Sequence, residues 1–214
     1  MRRESEQGEG VSEVDLNVVL LPDAATQALL LKLSKDVAAI LEPDFILDKG
    51  QFRPHVSLFP NQYPAGNIER IIVELQELAR GTAAFPIRLG GYSQISGFVF
   101  VDVHKTGPLV SLHQQAVEVL NPLREGHMPT LVADLRGLSE GQRANVVTYG
   151  NPIVGELWEP HVTLTHTANM ERAQAVLAEL PPVEFAFGVD ALHLTRFGPY
   201  GTCPEILETF NFGR

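Results

Sequence analysis

The 214-residue chain is 44% hydrophobic and 20% charged, proportions of a folded globular protein that exclude general disorder. Sixteen Lys and Arg against 26 Asp and Glu leave a net charge of −10. That sign opposes capture of duplex DNA or long RNA, which depends on releasing phosphate counterions to cationic side chains. Histone-like and polybasic membrane roles are excluded with it, while a small phosphate ester held in a local pocket is not. A single cysteine, Cys203, cannot form an internal disulfide and points to a reducing compartment. No apolar run reaches the roughly 20 residues of a membrane helix, and no apolar stretch follows Arg2 and Arg3 as a signal peptide would require. The expectation is a soluble, cytoplasmic protein without a membrane partner.

Residues 1–14, with their glutamates and glycines, read as a disordered acidic tail before a single domain over 15–214. Residues 15–21, DLNVVLL, predict a central strand ended by Pro22. Asp23 offers an N-cap to a helix whose apolar residues Leu29, Leu30, Leu33, Val37 and Ile40 recur at helical spacing. Gln51–Phe59 has strand character around His55. Asn67 offers a cap to a second helix that ends at Gly81, and 84–92 with 97–103 predict a hairpin closing the first half. There Phe98 and Phe100, like Phe185 and Phe187 later, alternate as core residues.

The second half repeats the plan, with a helix over 109–120 closed by Asn121–Pro122. The glycine- and proline-rich stretch 122–157 is poorly periodic and reads as a long loop. A strand at 160–166, a helix at about 169–180 and strands near 183–188, 190–197 and 205–212 follow. The pattern is α+β with mostly antiparallel pairing.

One internal repeat carries the functional reading. Residues 54–58 are Pro-His-Val-Ser-Leu and residues 160–164 are Pro-His-Val-Thr-Leu, identical at four of five positions and almost half the chain apart. Side chains two apart on a strand share a face, so His55 projects with Ser57 and His161 with Thr163, while Val56, Leu58, Val162 and Leu164 pack behind. Two imidazoles near neutrality can accept and donate a proton, and two hydroxyls can hydrogen-bond the oxygens of a phosphate. This is equipment for opening a cyclic phosphodiester without a metal.

The duplicated H-x-[S/T] pattern, here RPHVSLF and EPHVTLT, resembles that of the 2H phosphoesterase superfamily, which includes 2′,5′-RNA ligase-like proteins and cyclic nucleotide phosphodiesterases. The resemblance runs from about residue 15 to 212. It implies a bilobal α+β fold, two mostly antiparallel sheets related by a pseudo-twofold around a central cleft, with helices outside. It also implies that His55 and His161 are the catalytic pair and that Ser57 and Thr163 hold the phosphate; no carboxylate-rich ligand set accompanies the histidines, so neither metal nor cofactor is expected. The partner is then a small nucleotide or an RNA end.

Further residues are assigned around the motifs. Arg53, two before His55, is a candidate phosphate ligand, and Arg196 a weaker second cation. Trp158 and Tyr149 flank the second motif as possible base-stacking side chains. His104, His113, His127, His166 and His193 lack metal-ligand spacing, and His166 falls on the opposite face from His161 if its strand stays regular. GYSQISG at 91–97 lacks the triphosphate-loop pattern. The expected function is a metal-independent phosphoesterase acting on a small cyclic phosphodiester or 2′,5′-linked RNA end. The alternative is a non-catalytic module that binds a phosphorylated, nucleotide-like ligand.

Overall fold

A computed structural model describes residues 12–129 and 137–213. The residues 1–11 of the expected tail and 130–136 of the expected long loop lie outside the described residues.

The first strand, β1 (Glu13–Leu20), begins two residues inside the expected tail, because Glu13 and Val14 pair with Pro64 and Tyr63 of a short strand the sequence does not announce. Helix α1 (Ala24–Ala38) is capped by Asp23, whose side chain accepts from the Thr26 amide. Strand character around His55 shrinks to β2 (Val56–Ser57), and β3 (Asn61–Pro64) continues along the same edge of β1. Helix α2 (Ile68–Arg80) buries Ile71, Leu75 and Leu78 at helical spacing. Asn67 precedes α2 without capping it; its amide donates instead to the Leu123 carbonyl and Glu125, tying α2 to the turn after α3.

Strands β4 (Phe85–Ile95) and β5 (Phe98–Val103) form the expected hairpin. Ser96 and Gly97 both take positive φ, the turn geometry that matches strand twist, and a Cβ on Gly97 would collide with the Thr167 carbonyl. Helix α3 (Gly107–Leu120) follows. The stretch expected as a loop contains α4 (Glu140–Tyr149), started by a capping box between Ser139 and Gln142. It escapes periodicity because its only buried side chain is Val146. Strand β6 (His161–His166), α5 (Met170–Val176), β7 (Glu184–Val189), β8 (Ala191–Arg196) and β9 (Ile206–Asn211) complete the chain.

Two antiparallel sheets result. One has the order β2-β1-β8-β9 with β3 also on β1, and the other β6-β5-β4-β7. In both, the motif strand is at the edge and the strand that precedes it across a helical connection lies beside it, one helix between β1 and β2 and two between β5 and β6, with a further pair of strands beyond. The duplication is therefore visible in the sheets, but its boundary is not where the sequence suggests. The β4–β5 hairpin, expected to close the first half, builds the second sheet, and β8 and β9 return to complete the first. Leu16, Val18 and Leu20 of β1, with Val56 and Leu58, are buried on the core side. Asn17 and Val19 face the other way with Ser57, toward the second sheet's motif strand.

Candidate active site

The two motif copies approach each other: Cα atoms of β2 and β6 come within 8 Å. Each histidine is held by the same device. His55 Nδ1 donates to the Arg53 carbonyl at 2.8 Å, and His161 Nδ1 donates to the Glu159 carbonyl at 2.7 Å. A carbonyl only accepts, so Nδ1 carries the hydrogen in both rings and Nε2 is the nitrogen left for chemistry. The intervening Pro54 and Pro160 lock φ and turn the chain so that the carbonyl two residues back meets its own histidine.

Around His55 lies a buried polar layer contributed by residues far apart in sequence. Asn17 Nδ2 donates to Ser57 Oγ at 2.8 Å. Because Ser57 Oγ accepts that bond, its own hydroxyl hydrogen is free to point into the cleft. Thr195, opposite Asn17 on β8, has its hydroxyl 3.1 Å from the Asn17 carbonyl and 3.3 Å from Cys203 Sγ. Cys203 is fully buried in this layer, its Sγ 3.9 Å from Asn17 Nδ2. Burial of His55, only 8% exposed, opposes its charge, but the thiol and the Arg53 and Gly201 carbonyls outweigh it and raise its pKa above the ordinary histidine value. The same pairing lowers the Cys203 thiol despite burial.

His161 sits in the opposite electrostatic setting. Burial pushes its pKa below the ordinary value; the Glu159 carbonyl opposes this, the charge of His55 adds to it, and Asp102 and Glu159 oppose it again. Asp102 is its register partner on β5 and accepts from Ser93 Oγ at 2.5 Å. The ring packs on Phe100, centroids 4.0 Å apart, and Phe100 stacks with Phe98 at 6.0 Å. Phe98 and Phe100 thus share the histidine face, where Phe100 is buried as expected and Phe98 is only half-buried; Val99 and Val101 face the other way with no exposed surface.

Strand β6 is not regular. Val99 pairs with Thr165 but Phe100 with Thr163, so Leu164 is an extra residue, a β-bulge. The bulge returns His166 to the face of His161, against the expectation for a regular strand. His166 packs on Phe98 with centroids 4.4 Å apart, and its Nδ1 lies 2.5 Å from the Asp44 carboxylate. Tyr200, from the β8–β9 loop, reaches across to it, 5.2 Å between centroids, and touches Phe45 at 5.6 Å. Tyr200 holds positive φ and remains 39% exposed.

The family model described as the 2′-5′ RNA ligase superfamily matches residues 47–199, which include both motifs. The chain belongs to that superfamily. Its members are the LigT-like 2H phosphoesterases, enzymes of phosphoester cleavage and RNA ligation. A search of curated protein sequences finds no match. Among solved structures, TT0787 of Thermus thermophilus is similar at 18% identity and a TM-score of 0.61, covering 94% of this chain and 99% of that one. E. coli LigT in apo form is similar at 15% identity and a TM-score of 0.62, covering 95% and 99%. E. coli LigT complexed with 3′-AMP is similar at 13% identity and a TM-score of 0.61, covering 95% and 100%. These likenesses show the LigT-like fold.

Not every residue singled out in the sequence joins the site of this 2′-5′ RNA ligase superfamily member. Trp158 is 5% exposed and stacks flat on His113 at 4.0 Å, so its face is spent in the core and is closed to a base. Tyr149 packs against the core at the end of α4, its carbonyl accepting from Asn61. Their proximity to His161 in sequence is undone by the turn at 155–157 and the reversal into β6. Arg196 pairs with Glu205 and alternates onto the side away from Ser57. His113 is buried structure, donating from Nδ1 to the Leu58 carbonyl and accepting the Gly155 amide at Nε2. Arg53 donates from Nη2 to the Lys49 carbonyl, and its charge bears on His193. Asn17, Cys203, Asp102 and Tyr200 were missed. Only Asn17 left a trace, as the polar interruption of an apolar run.

Among the described residues no helix is long and apolar enough to cross a membrane.

Proposed function

We propose that this chain hydrolyses a cyclic phosphodiester on a nucleotide or RNA end, with His161 as general base and His55 as general acid. The observation that carries the reading is the paired environment. Two histidines have the same tautomer lock and opposite displacements of pKa, the arrangement that separates an acid from a base at one pH. Neutral His161 takes a proton from water at Nε2 as the water oxygen bonds to phosphorus. The ester bond to one ribose oxygen breaks, and protonated His55 supplies the hydrogen that makes that oxygen a hydroxyl. The product is a phosphomonoester, and the two rings exchange roles in the reverse, ligating direction.

Ser57, oriented by Asn17, and Thr163 hold nonbridging phosphate oxygens. Tyr200 takes over the base-stacking role that Trp158 and Tyr149 cannot fill. No cofactor or metal enters the steps, and the partner is a small nucleotide or RNA end within a soluble, cytoplasmic setting.

The test is a panel of 2′,3′-cyclic mononucleotides, 3′,5′-cyclic nucleotides and 2′,5′-linked oligonucleotides, assayed in strong chelator with product linkage determined. Turnover that survives chelation and collapses in His161→Ala is expected. Tight binding of the panel with no turnover would replace the enzyme by a binding module for phosphorylated ligands.

A further inference from the structure

The two lobes treat their cleft faces differently. On the first sheet Asn17, Val19 and Thr195 have no exposed surface, so the floor beside His55 is sealed. On the second sheet the face that carries His161 runs on, open, across β5, β4 and β7. Asp102 is the register partner of His161, and paired residues share a face. Opposite Asp102 strand β4 bulges: Leu89 pairs with Val103 and Tyr92 with Val101, which sets Gly90 and Gly91 against one residue. Side chains are barred at both. A Cβ on Gly90 would fall 2.5 Å from His104 Nε2, and Gly91 holds a φ of +84°, its bare side facing Asp102 Oδ2. Asp102 Oδ1 accepts from Ser93, which leaves Oδ2 an unused acceptor among the described residues. Gly90 pairs in turn with Glu184 of β7, and Gly91, His104 and Glu184 are exposed. The bulge floors a cavity of about 450 Å³, with His104 and Glu184 to one side and Tyr92, Leu180 and Pro182 as walls. The Tyr92 hydroxyl is spent on the Pro181 carbonyl at 3.0 Å, so its ring is a fixed wall. Among the described residues no lysine or arginine lines the space; Arg88, two before Gly90 on the same face, does not.

We propose that this cavity is an acceptor pocket: it holds a neutral nucleoside whose free 5′-hydroxyl takes the place of water beside His161. The inference rests on the phosphoesterase reading and extends it from hydrolysis to transfer. His161 Nε2 takes the proton of the 5′-hydroxyl as that oxygen bonds to phosphorus. The cyclic ester bond to one ribose oxygen breaks and His55 protonates that oxygen, so a cyclic phosphate and an alcohol become one phosphodiester. Charge selects the ligand. Asp102 and Glu184 are carboxylates that only accept hydrogen bonds, so they repel a phosphate and draw in hydroxyl and amino groups. Asp102 Oδ2 takes a ribose hydroxyl, the walls take the base, and Glu184 takes its exocyclic amino group. The spacing agrees. His161 and the bulge are two strands apart, about 10 Å across the sheet, which a nucleoside spans from its 5′ oxygen to the far edge of its base.

The test gives the protein adenosine 2′,3′-cyclic phosphate together with cytidine, with uridine, or with an oligonucleotide bearing a free 5′-hydroxyl. Dinucleoside phosphate formed is counted against adenosine monophosphate released. Cytidine, whose amino group Glu184 accepts, should exceed uridine by roughly tenfold in that ratio, the worth of one hydrogen bond to a charged group. Glu184→Gln should bring the cytidine preference toward one. Pro182→Trp, which fills the cavity from an exposed position, should lower transfer to either nucleoside. The ratio is read within one enzyme, so partial loss of folded protein leaves it unmoved. Equal use of cytidine and uridine by the native protein, or a ratio unchanged in Pro182→Trp, overturns the pocket. Hydrolysis with no transfer product overturns it too, and leaves the phosphoesterase reading standing. Absence of all turnover sinks that reading and the acceptor role together. Calorimetric binding of cytidine that is lost in Pro182→Trp would then keep the cavity as a nucleoside site, and no binding would remove that as well. Transfer to cytidine alone assigns a free nucleoside as acceptor, and transfer to the oligonucleotide as well assigns a strand end.

Discussion

The segments Arg53–Leu58 and Glu159–Leu164 do the same thing with their backbones and different things with their surroundings. Each uses a proline to bring a carbonyl back onto the Nδ1 of its own histidine, and each buries a valine and a leucine behind. There the likeness stops. His55 is nearly covered and shares its burial with a thiol; His161 rests on an aromatic face beside a carboxylate. Ser57 is fixed by Asn17, whereas the Thr163 hydroxyl has no hydrogen-bond partner among the described residues. Duplication thus supplied two equivalent nitrogens, and the unduplicated neighbours made them unequal. An acid and a base must differ in proton affinity, and the proposed mechanism rests on that inequality.

The largest effects should test that division directly. His161→Ala and His55→Ala are each expected to lower kcat/KM by ~10²–10⁴-fold on a substrate with a ribose leaving oxygen. The double variant should fall little below the worse single one, because the two act as a unit. On an aryl phosphodiester, whose phenolate leaves without a proton, His55→Ala should recover most of its loss and His161→Ala should not. Recovery by His161→Ala instead would reverse the roles.

A smaller effect is expected from the hydroxyl supports. Asn17→Ala should cost up to about tenfold in kcat/KM, the range of one hydrogen bond. Its effect should overlap with that of Ser57→Ala and add to that of Thr163→Val, as a double-mutant cycle reads it. Full additivity with Ser57→Ala would mean that Asn17 does not act through that hydroxyl.

The pH–rate profile gives a subtler contrast. The base must be neutral, so the acid limb follows His161 and lies below the ordinary histidine value of 6.5. The acid must be protonated, so the alkaline limb follows His55 and lies above it. Cys203→Val removes the group that holds the His55 pKa up, so the alkaline limb should move to lower pH while the acid limb stays in place. Movement of the acid limb alone would contradict the assignment.

Stability should show the weakest signature. His113, His161 and His193 have lowered values in the fold, so the unfolded chain takes up protons near pH 6.5 that the folded rings refuse. Their contribution is complete above pH 6.5 and is lost as pH falls below it. His55 has the opposite sign, contributing fully below 6.5 and losing that contribution as pH rises through its folded value. With three rings against one, the urea midpoint is expected to drop between pH 7 and pH 5.5; a midpoint that rises would show that His55 dominates.

The sequence by itself determined the repeat, the two histidines with their hydroxyl partners and the α+β class, since all of these follow from local spacing and the two-residue period of a strand. The Asp23 cap and the buried stripe of α2 were legible for the same reason: the interacting residues lie within a turn or two. Helix α4 was not legible, because one buried side chain leaves no apolar period to read. The face of His166 turned on an extra residue, Leu164, which is defined only against the partner strand. Trp158 looked free for a base because nothing local reveals the His113 ring stacked on it. Asn17, Thr195 and Cys203 meet at His55 only because β8 and β9 return from the end of the chain to lie beside β1. The proposed division of the two histidines into acid and base rests on that packing. Protonation depends on the dielectric and charges within a few ångströms, and those neighbours are set by packing over the whole chain, not by the motif that the two histidines share.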